Sequence, residues 1–364
     1  MKSLIPWADR VITPREKTLV SEALDSTWIS DGPFVTRFEE KFLQLNEATW
    51  GVTASNGTTA LHLALLTLGI GSGDEVIVPG YTFAAPANMT LAVGARPVYA
   101  DVRDDDWLLD PVDVEAHITR KTRAIIAVHL YGAACDMTAL KIIAERYGLL
   151  LIEDAAEACL TRFDGKPVGS LGDAGCFSFQ ATKTISMGEG GFVTVREKIL
   201  YDRMVLIRNH GMTPAKRYWH HVIGHNFRLP NLQAALGCGQ LEQVETIIDR
   251  RRLLYQRYKT RLEGERGIRL QAIHHLVEPV IWTLALELDP AVFPERSQVI
   301  QRMRNANIET RPGFYPMSQM PIYDAPDLPV SSRVGKQILC LPFYPMLDEE
   351  LVDYICGILL GLRY

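Results

Sequence analysis

The segment SFQATKTISMGEGG, residues 178–191, sets one lysine, Lys183, between a strand-like run and a loop holding Gly188, Gly190 and Gly191. A lysine attacks a carbonyl only when neutral, and desolvation or nearby positive charge favours the neutral amine. Glycines let the backbone pass close to a bulky ligand. Outside such a setting a lone lysine is a solvated surface group. Asp154 lies 29 residues earlier and ends the apolar run in LLLIEDAAEA (149–158), which also carries Glu153 and Glu157. A carboxylate at the end of so apolar a strand needs a cation, and a protonated ring nitrogen is one candidate. A helix N-cap just after the strand is the other reading. In SNGTTALHLALLTLGIG (55–71), Ser55, Asn56, Gly57, Thr58 and Thr59 precede an amphipathic helix. A helix start carries free N–H groups and partial positive charge that hold a phosphate, yet the same residues also serve as ordinary caps. Neither a Walker pattern nor GxGxxG occurs in this segment. A lysine for an aldehyde, an acid for a ring nitrogen and a cradle for a phosphate together fit one cofactor, pyridoxal phosphate.

These residues need a scaffold that brings them to one place. DEVIVPG (74–80), RPVYADV (96–102), TRAIIAVHLYG (122–132), LLLIEDAAEA, AGCFSFQ (174–180) and GFVTV (191–195) read as short strands. Between them TTALHLALLTLGI, AAPANMTLAVGA and MTALKIIAERYG read as helices. Apolar strands alternating with helices predict an α/β domain with a mostly parallel sheet covered on both faces. Ligands of such sheets bind beyond the C-terminal ends of the strands, where Asp154 falls. A long helical pattern begins near Pro230 and continues through LQAALGCGQLEQVETIIDRRRLLYQRYKTRL. The last third has a strand-like run, VIWTLALELD (280–289), with helices around 296–306 and 348–361. The expected division is a large cofactor-binding domain over 1–240 and a small α+β domain over 241–364.

The chain has 364 residues, 47% hydrophobic and 22% charged, with a formal net charge of -5 and no basic block. That balance disfavours a nucleic-acid or anionic membrane surface as partner. The first 17 residues, MKSLIPWADRVITPREK, lack the apolar core of a signal peptide. Runs such as GLLLI are too short to span a bilayer. Six cysteines, with no CxxC pair, fall in apolar stretches and read as reduced thiols of a cytoplasmic protein rather than disulfides or metal ligands.

With those segments in hand, the chain resembles the DegT/DnrJ/EryC1/StrS family of sugar aminotransferases over nearly its full length. TWIS, SNGTTALHLAL, GDEVIVP, AVHLYG, IEDAAEA, FSFQATKTISMGEGG, RYWHHVIGHNFRLPNLQAALG and ETRPGFYP carry the resemblance. It implies the type I aspartate-aminotransferase fold and a homodimer with shared active sites. By the same resemblance Lys183 would bind pyridoxal phosphate as an imine, and Asp154 would pair with its pyridine N–H. Phe83, in GYTFAAPAN, would stack on the ring. Thr58, Thr59 and Ser178 would bind the phosphate, joined by Asn226 of the partner subunit. Glu157 stands where the family has Gln, His or Glu near the cofactor's 3-hydroxyl. Trp28, Ile29, Ser30, Tyr218, Trp219, His220 and Tyr315 match regions that face a nucleotide-linked sugar. The implied reaction moves an amino group from L-glutamate to C-4 of a nucleotide-linked 4-keto-6-deoxyhexose. GDP-4-keto-6-deoxymannose, giving GDP-perosamine, comes first, and dTDP-4-keto-6-deoxyglucose is the alternative. A non-catalytic protein that merely binds the cofactor is the reading of a different class. Three positions depart from the pattern: FQATK stands where the closest branch has FFGNK, Ser318 where it has His, and Phe83 where Tyr or Trp is commoner. The first two bear on the sugar and its nucleotide.

Overall fold

The computed structural model describes residues 4–10, 12–213, 215–216 and 218–364. Arg217, first residue of the RYWHHVIGHNFR segment, lies outside them. Strands β1 (Trp50–Ala54), β2 (Glu75–Pro79), β3 (Arg96–Ala100), β4 (Thr122–Val128) and β5 (Leu150–Asp154) are followed by two short strands, β6 (Arg162–Phe163) and β7 (Lys166–Pro167). Then come β8 (Ala174–Ser178) and β9 (Gly191–Val195). Among the described residues seven of these form the main sheet, in the order β1-β9-β8-β5-β4-β2-β3. Only β9 is antiparallel to its neighbours; the remaining pairings are parallel. β2, β8 and β9 are buried at every position, as expected of strands covered on both faces.

Helices α1 (Pro14–Asp25), α2 (Pro33–Leu45), α3 (Gly57–Leu68), α4 (Ala85–Ala92), α5 (Pro111–Ala116), α6 (Met137–Tyr147) and α7 (Lys198–Arg208) surround this sheet. α3 starts where Asn56 accepts the Thr59 N–H and the Thr59 side chain answers the Asn56 N–H. It stops at Gly69, whose φ of 76° is left-handed. α2 buries Phe34, Phe38 and Phe42 along one stripe. Phe42 meets Phe177 and Phe179 edge-on at 5.0 and 5.1 Å, and Phe38 meets Phe179 at 5.2 Å. Truncating a buried phenylalanine to alanine typically costs about 3–5 kcal/mol, so this cluster firmly fixes the strand end from which Lys183 departs.

The long helix expected after Pro230 is two helices, α8 (Asn231–Glu242) and α9 (Val244–Leu262). Pro230 is the N-cap, as the sequence suggests. The break falls at Gln243 (φ −111°, ψ 11°), whose side-chain amide donates to Glu16 Oε1 at 2.6 Å. A bond to a residue so far along the chain leaves no local signal. Beyond α9, strands β10 (Ile268–Leu270), β11 (Val277–Glu278), β12 (Leu284–Leu288), β13 (Arg311–Pro312) and β14 (Ile338–Leu341) alternate with α10 (Arg296–Asn305), α11 (Pro329–Gln337) and α12 (Glu349–Leu360). A second, antiparallel sheet runs β10-β12-β14-β13, while β11 joins β6 and β7. A separate core gathers Ile5, Leu254, Tyr258, Leu286, Leu339 and Ile355. The strand expected over 280–289 begins only at Leu284. The residues before it pair elsewhere: Trp282 N–H donates to the Tyr131 carbonyl, and the Ile281 and Trp282 carbonyls accept from Arg251. All six cysteines are buried and unpaired. Among the described residues no helix is long and apolar enough to cross a membrane.

Candidate active site

A cavity of about 730 Å³ opens at the C-terminal ends of the main sheet. Val128 ends β4, Asp154 ends β5 and Ser178 ends β8, and all three line it. Because β9 runs back antiparallel, the β8–β9 connection turns over at this same edge, and that connection carries Lys183. Lys183 Nζ donates to Glu157 Oε1 at 3.2 Å and lies 3.8 Å from the centre of the Trp282 ring. The other Glu157 oxygen accepts the Tyr131 N–H at 3.1 Å. Burial pushes the Glu157 carboxyl above its ordinary value, against the opposing pull of Lys183. Asp154 is pushed up to about 6, first by burial, while the Ala156 N–H and the Lys183 charge act the other way. Its Oδ1 accepts the Ala156 N–H at 3.1 Å; among the described residues no donor reaches Oδ2. Glu153, by contrast, is held among the N–H groups of Gly169, Leu171 and Gly172 and the Nε2 of His129, and it stays off the cavity.

At the opposite end stands the start of α3. Asn56 Oδ1 takes the Thr59 N–H, and among the described residues no acceptor meets the N–H groups of Gly57 and Thr58. The Thr59 hydroxyl is committed to Asn56 and Ser55, whereas the Thr58 hydroxyl is not. Gly57 comes so near β8 that a Cβ there would lie 2.7 Å from Ser178 Cβ. A Cβ on Gly191 would lie 2.3 Å from the Asn56 carbonyl oxygen. Gly188 adopts φ 80° in the turn, and Gly190 abuts Met187 and Phe179. None of the three glycines lines the cavity, so they serve the turn and the approach of α3 rather than clearance for a ligand. Phe83 lines the mouth, more than half exposed, 6.0 Å from Phe314. Phe314 stacks on Tyr131 at 5.8 Å and is tied by its N–H to the Tyr81 hydroxyl.

The structure thus brings Thr58, Thr59, Phe83, Asp154, Glu157, Ser178 and Lys183 to one cavity. It leaves eight other expected residues outside it. Trp28, Ile29 and Ser30 are exposed beyond α1. Tyr218, Trp219 and His220 lie on an exposed hairpin, where His220 Nδ1 donates to the His210 carbonyl. Asn226 is exposed at the hairpin base, bridged to Asn209. Tyr315 turns away, with the Arg296 guanidinium 5.9 Å from its ring centre, while its neighbour Phe314 takes the cavity wall. Sequence reasoning passed over Trp7, Gln180, Thr182, Trp282 and Phe314 as lining residues. Gln180 and Thr182 flank the lysine and were within reach; Trp7 and Trp282 sit in ordinary apolar contexts that give no signal.

A model described as the DegT/DnrJ/EryC1/StrS aminotransferase family matches residues 10–360. The GDP-perosamine synthase of Escherichia coli O157:H7 is 41% identical over 358 residues, covering 97% of this chain and 96% of that protein. Among solved structures, S. venezuelae DesV in complex with a ketimine intermediate is similar at a TM-score of 0.94 and 32% identity, over 99% of this chain and 98% of that one. The PLP-form of Spr1654 from Streptococcus pneumoniae is similar at a TM-score of 0.94 and 28% identity, over 99% and 98% of the two chains. The large, mostly parallel sheet with its helices is the type I aminotransferase fold. The chain belongs to the DegT/DnrJ/EryC1/StrS aminotransferase family.

Proposed function

We propose that this enzyme uses pyridoxal phosphate to carry an amino group from L-glutamate to C-4 of GDP-4-keto-6-deoxymannose, giving GDP-perosamine. One observation carries the chemistry: Lys183, the open oxygen of Asp154 and the unanswered N–H groups of Gly57 and Thr58 face a single cavity. Those groups fit the cofactor's aldehyde, ring nitrogen and phosphate in turn. When bound, the cofactor supplies an electron sink for the carbon that gains or loses a proton. Gly57 and Thr58, with the Thr58 and Ser178 hydroxyls, hold the phosphate against the positive end of α3. Asp154 Oδ2 would keep the ring nitrogen protonated. Lys183 Nζ would bond the cofactor at rest and, when free, would carry a proton to or from the reacting carbon. Phe83 would lie against the ring at the mouth.

The sugar and the base rest on the similarity to the E. coli GDP-perosamine synthase. Residues 1–240 form the cofactor domain and 241–364 the small domain, which leans Trp282 and Phe314 over the cavity. The enzyme is a homodimer, and Asn226 of the partner subunit completes the phosphate site. Six unpaired, buried thiols suit a cytoplasmic, reducing setting. Steady-state turnover with glutamate and each of two keto sugars tests the reading. A pocket built to hydrogen-bond guanine leaves buried polar groups unpaired with thymine, so kcat/KM should favour the GDP sugar over dTDP-4-keto-6-deoxyglucose by roughly a hundredfold. A preference for the dTDP sugar overturns the substrate, and no 2-oxoglutarate from glutamate with any keto sugar overturns the enzyme.

A further inference from the structure

Transamination obliges Lys183 to leave the cofactor and return to it. The amine therefore spends part of each cycle unbonded, inside a cavity where a wandering cation would lose its reach. Two groups flank Nζ. One is Glu157, at 3.2 Å. The other is the face of Trp282, 3.8 Å from Nζ to ring centre, well inside the range in which an indole holds a cation. Both residues are buried, and both line the cavity beside the part-buried lysine.

The indole is fixed on every side. Its Nε1–H donates to the carbonyl of Thr182, the residue before the lysine, at 2.7 Å. Trp7 meets it edge-on at 5.5 Å and is itself tied by its main-chain N–H to Glu309. Trp282 N–H binds the Tyr131 carbonyl at 3.0 Å, while Tyr131 N–H binds Glu157. One residue, Tyr131, thus ties the Glu157 carboxylate by its N–H and the Trp282 main chain by its carbonyl. A tryptophan serving only to fill volume would need neither the directed bond beside the lysine nor an open face toward Nζ.

We infer that Trp282 is a positioning residue: its face seats the unbonded Lys183 amine, and its Nε1–H sets that seat relative to the lysine's own backbone. The inference rests on the reading of Lys183 as the residue that bonds the cofactor. For capture of free pyridoxal phosphate, Nζ would give a proton to Glu157 and attack the aldehyde carbon, forming a C=N bond as the aldehyde oxygen leaves as water; in turnover the donor's amine would take its place on that carbon and return the lysine amine to the seat.

The test compares full-length wild type, Trp282→Met and Trp282→Phe, each freed of cofactor. The visible absorbance of the imine is timed after mixing with pyridoxal phosphate. Affinity for pyridoxamine phosphate, which forms no bond to lysine, is measured beside it. Trp282→Met should capture pyridoxal phosphate about tenfold more slowly, with pyridoxamine phosphate affinity within about twofold of wild type. Trp282→Phe keeps an aromatic face and should stay within about threefold. Wild-type capture by Trp282→Met overturns the seat, as does an equal loss of pyridoxamine phosphate affinity, or phenylalanine proving as slow as methionine. Should the methionine variant not fold, capture by Trp282→Phe more than about threefold slow overturns it alone. Borohydride reduction of wild type followed by peptide mass analysis separates the two layers. A label on a residue other than Lys183 overturns the underlying assignment, whereas normal capture with the label on Lys183 overturns only the role of Trp282.

Discussion

Asp154 is a carboxylate whose surroundings favour the neutral form. Its folded value of about 6 lies above the ordinary 3.8, chiefly through burial. Ionising it at neutral pH therefore destabilises the cofactor-free protein, by about 3 kcal/mol for a shift of this size. The penalty is absent below about pH 4, grows as pH rises and is complete above about pH 6. A positive ring nitrogen held at Oδ2 would turn that penalty into an attraction. Asp154→Asn keeps an oxygen for the Ala156 N–H and removes the charge. Without cofactor it should melt higher than wild type at pH 7.5, with the gap closing toward pH 4. With pyridoxal phosphate the order should reverse. Calorimetric melting across pH, with and without cofactor, checks both halves, and a variant less stable than wild type in the cofactor-free state at pH 7.5 contradicts the first.

At the scale of elements, the start of α3 against β8 is the proposed phosphate end. Gly57→Ala gains helix propensity, up to about 1 kcal/mol. It also places a methyl 2.7 Å from Ser178 Cβ, closer than real Cβ contacts come, and Ser178 belongs to a central strand that cannot yield. The clash should win: α3 tips away, cofactor affinity falls at least tenfold and the melting temperature drops by a few degrees. Fluorescence titration with pyridoxal phosphate measures the first effect; unchanged affinity with a raised melting temperature would show that the helix adapts. Much of this frame was legible. β2, β3, β4, β5, β8 and β9 read as apolar runs, and Asp154 at the end of β5 and Lys183 just past β8 meet in one cavity. β1 was not read, because WGVTA is short and interrupted by Gly51, a glycine that packing demands: a Cβ there would meet the Phe192 ring at 2.5 Å. α2 announces itself by Phe34, Phe38 and Phe42 one turn apart, a stripe that went unread. The break at Gln243 and the seat at Trp282 were illegible in principle, since contacts distant in sequence make both.

At the scale of the whole molecule, the hairpin between Asn209 and Asn226 projects Tyr218, Trp219, Val222 and Ile223 outward, Ile223 90% exposed. Contiguous apolar side chains on a projecting element suit burial against another surface better than water. Asn226, at the base of the same hairpin, does not reach the cavity of its own chain. A two-fold dimer that packs each hairpin on the other subunit accounts for both facts, because a two-fold interface presents the same patch twice. Ile223→Glu puts a charge into that buried contact and, doubled by symmetry, should be enough to split it. Wild type should sediment as a dimer and Ile223→Glu as a monomer. The monomer should keep the main fold, since Ile223 takes no part in either core. It should nevertheless hold pyridoxal phosphate at least tenfold more weakly, having lost a phosphate ligand from outside the chain. A wild-type monomer active at working concentration refutes the shared site. An Ile223→Glu dimer with full cofactor affinity moves the interface away from this hairpin.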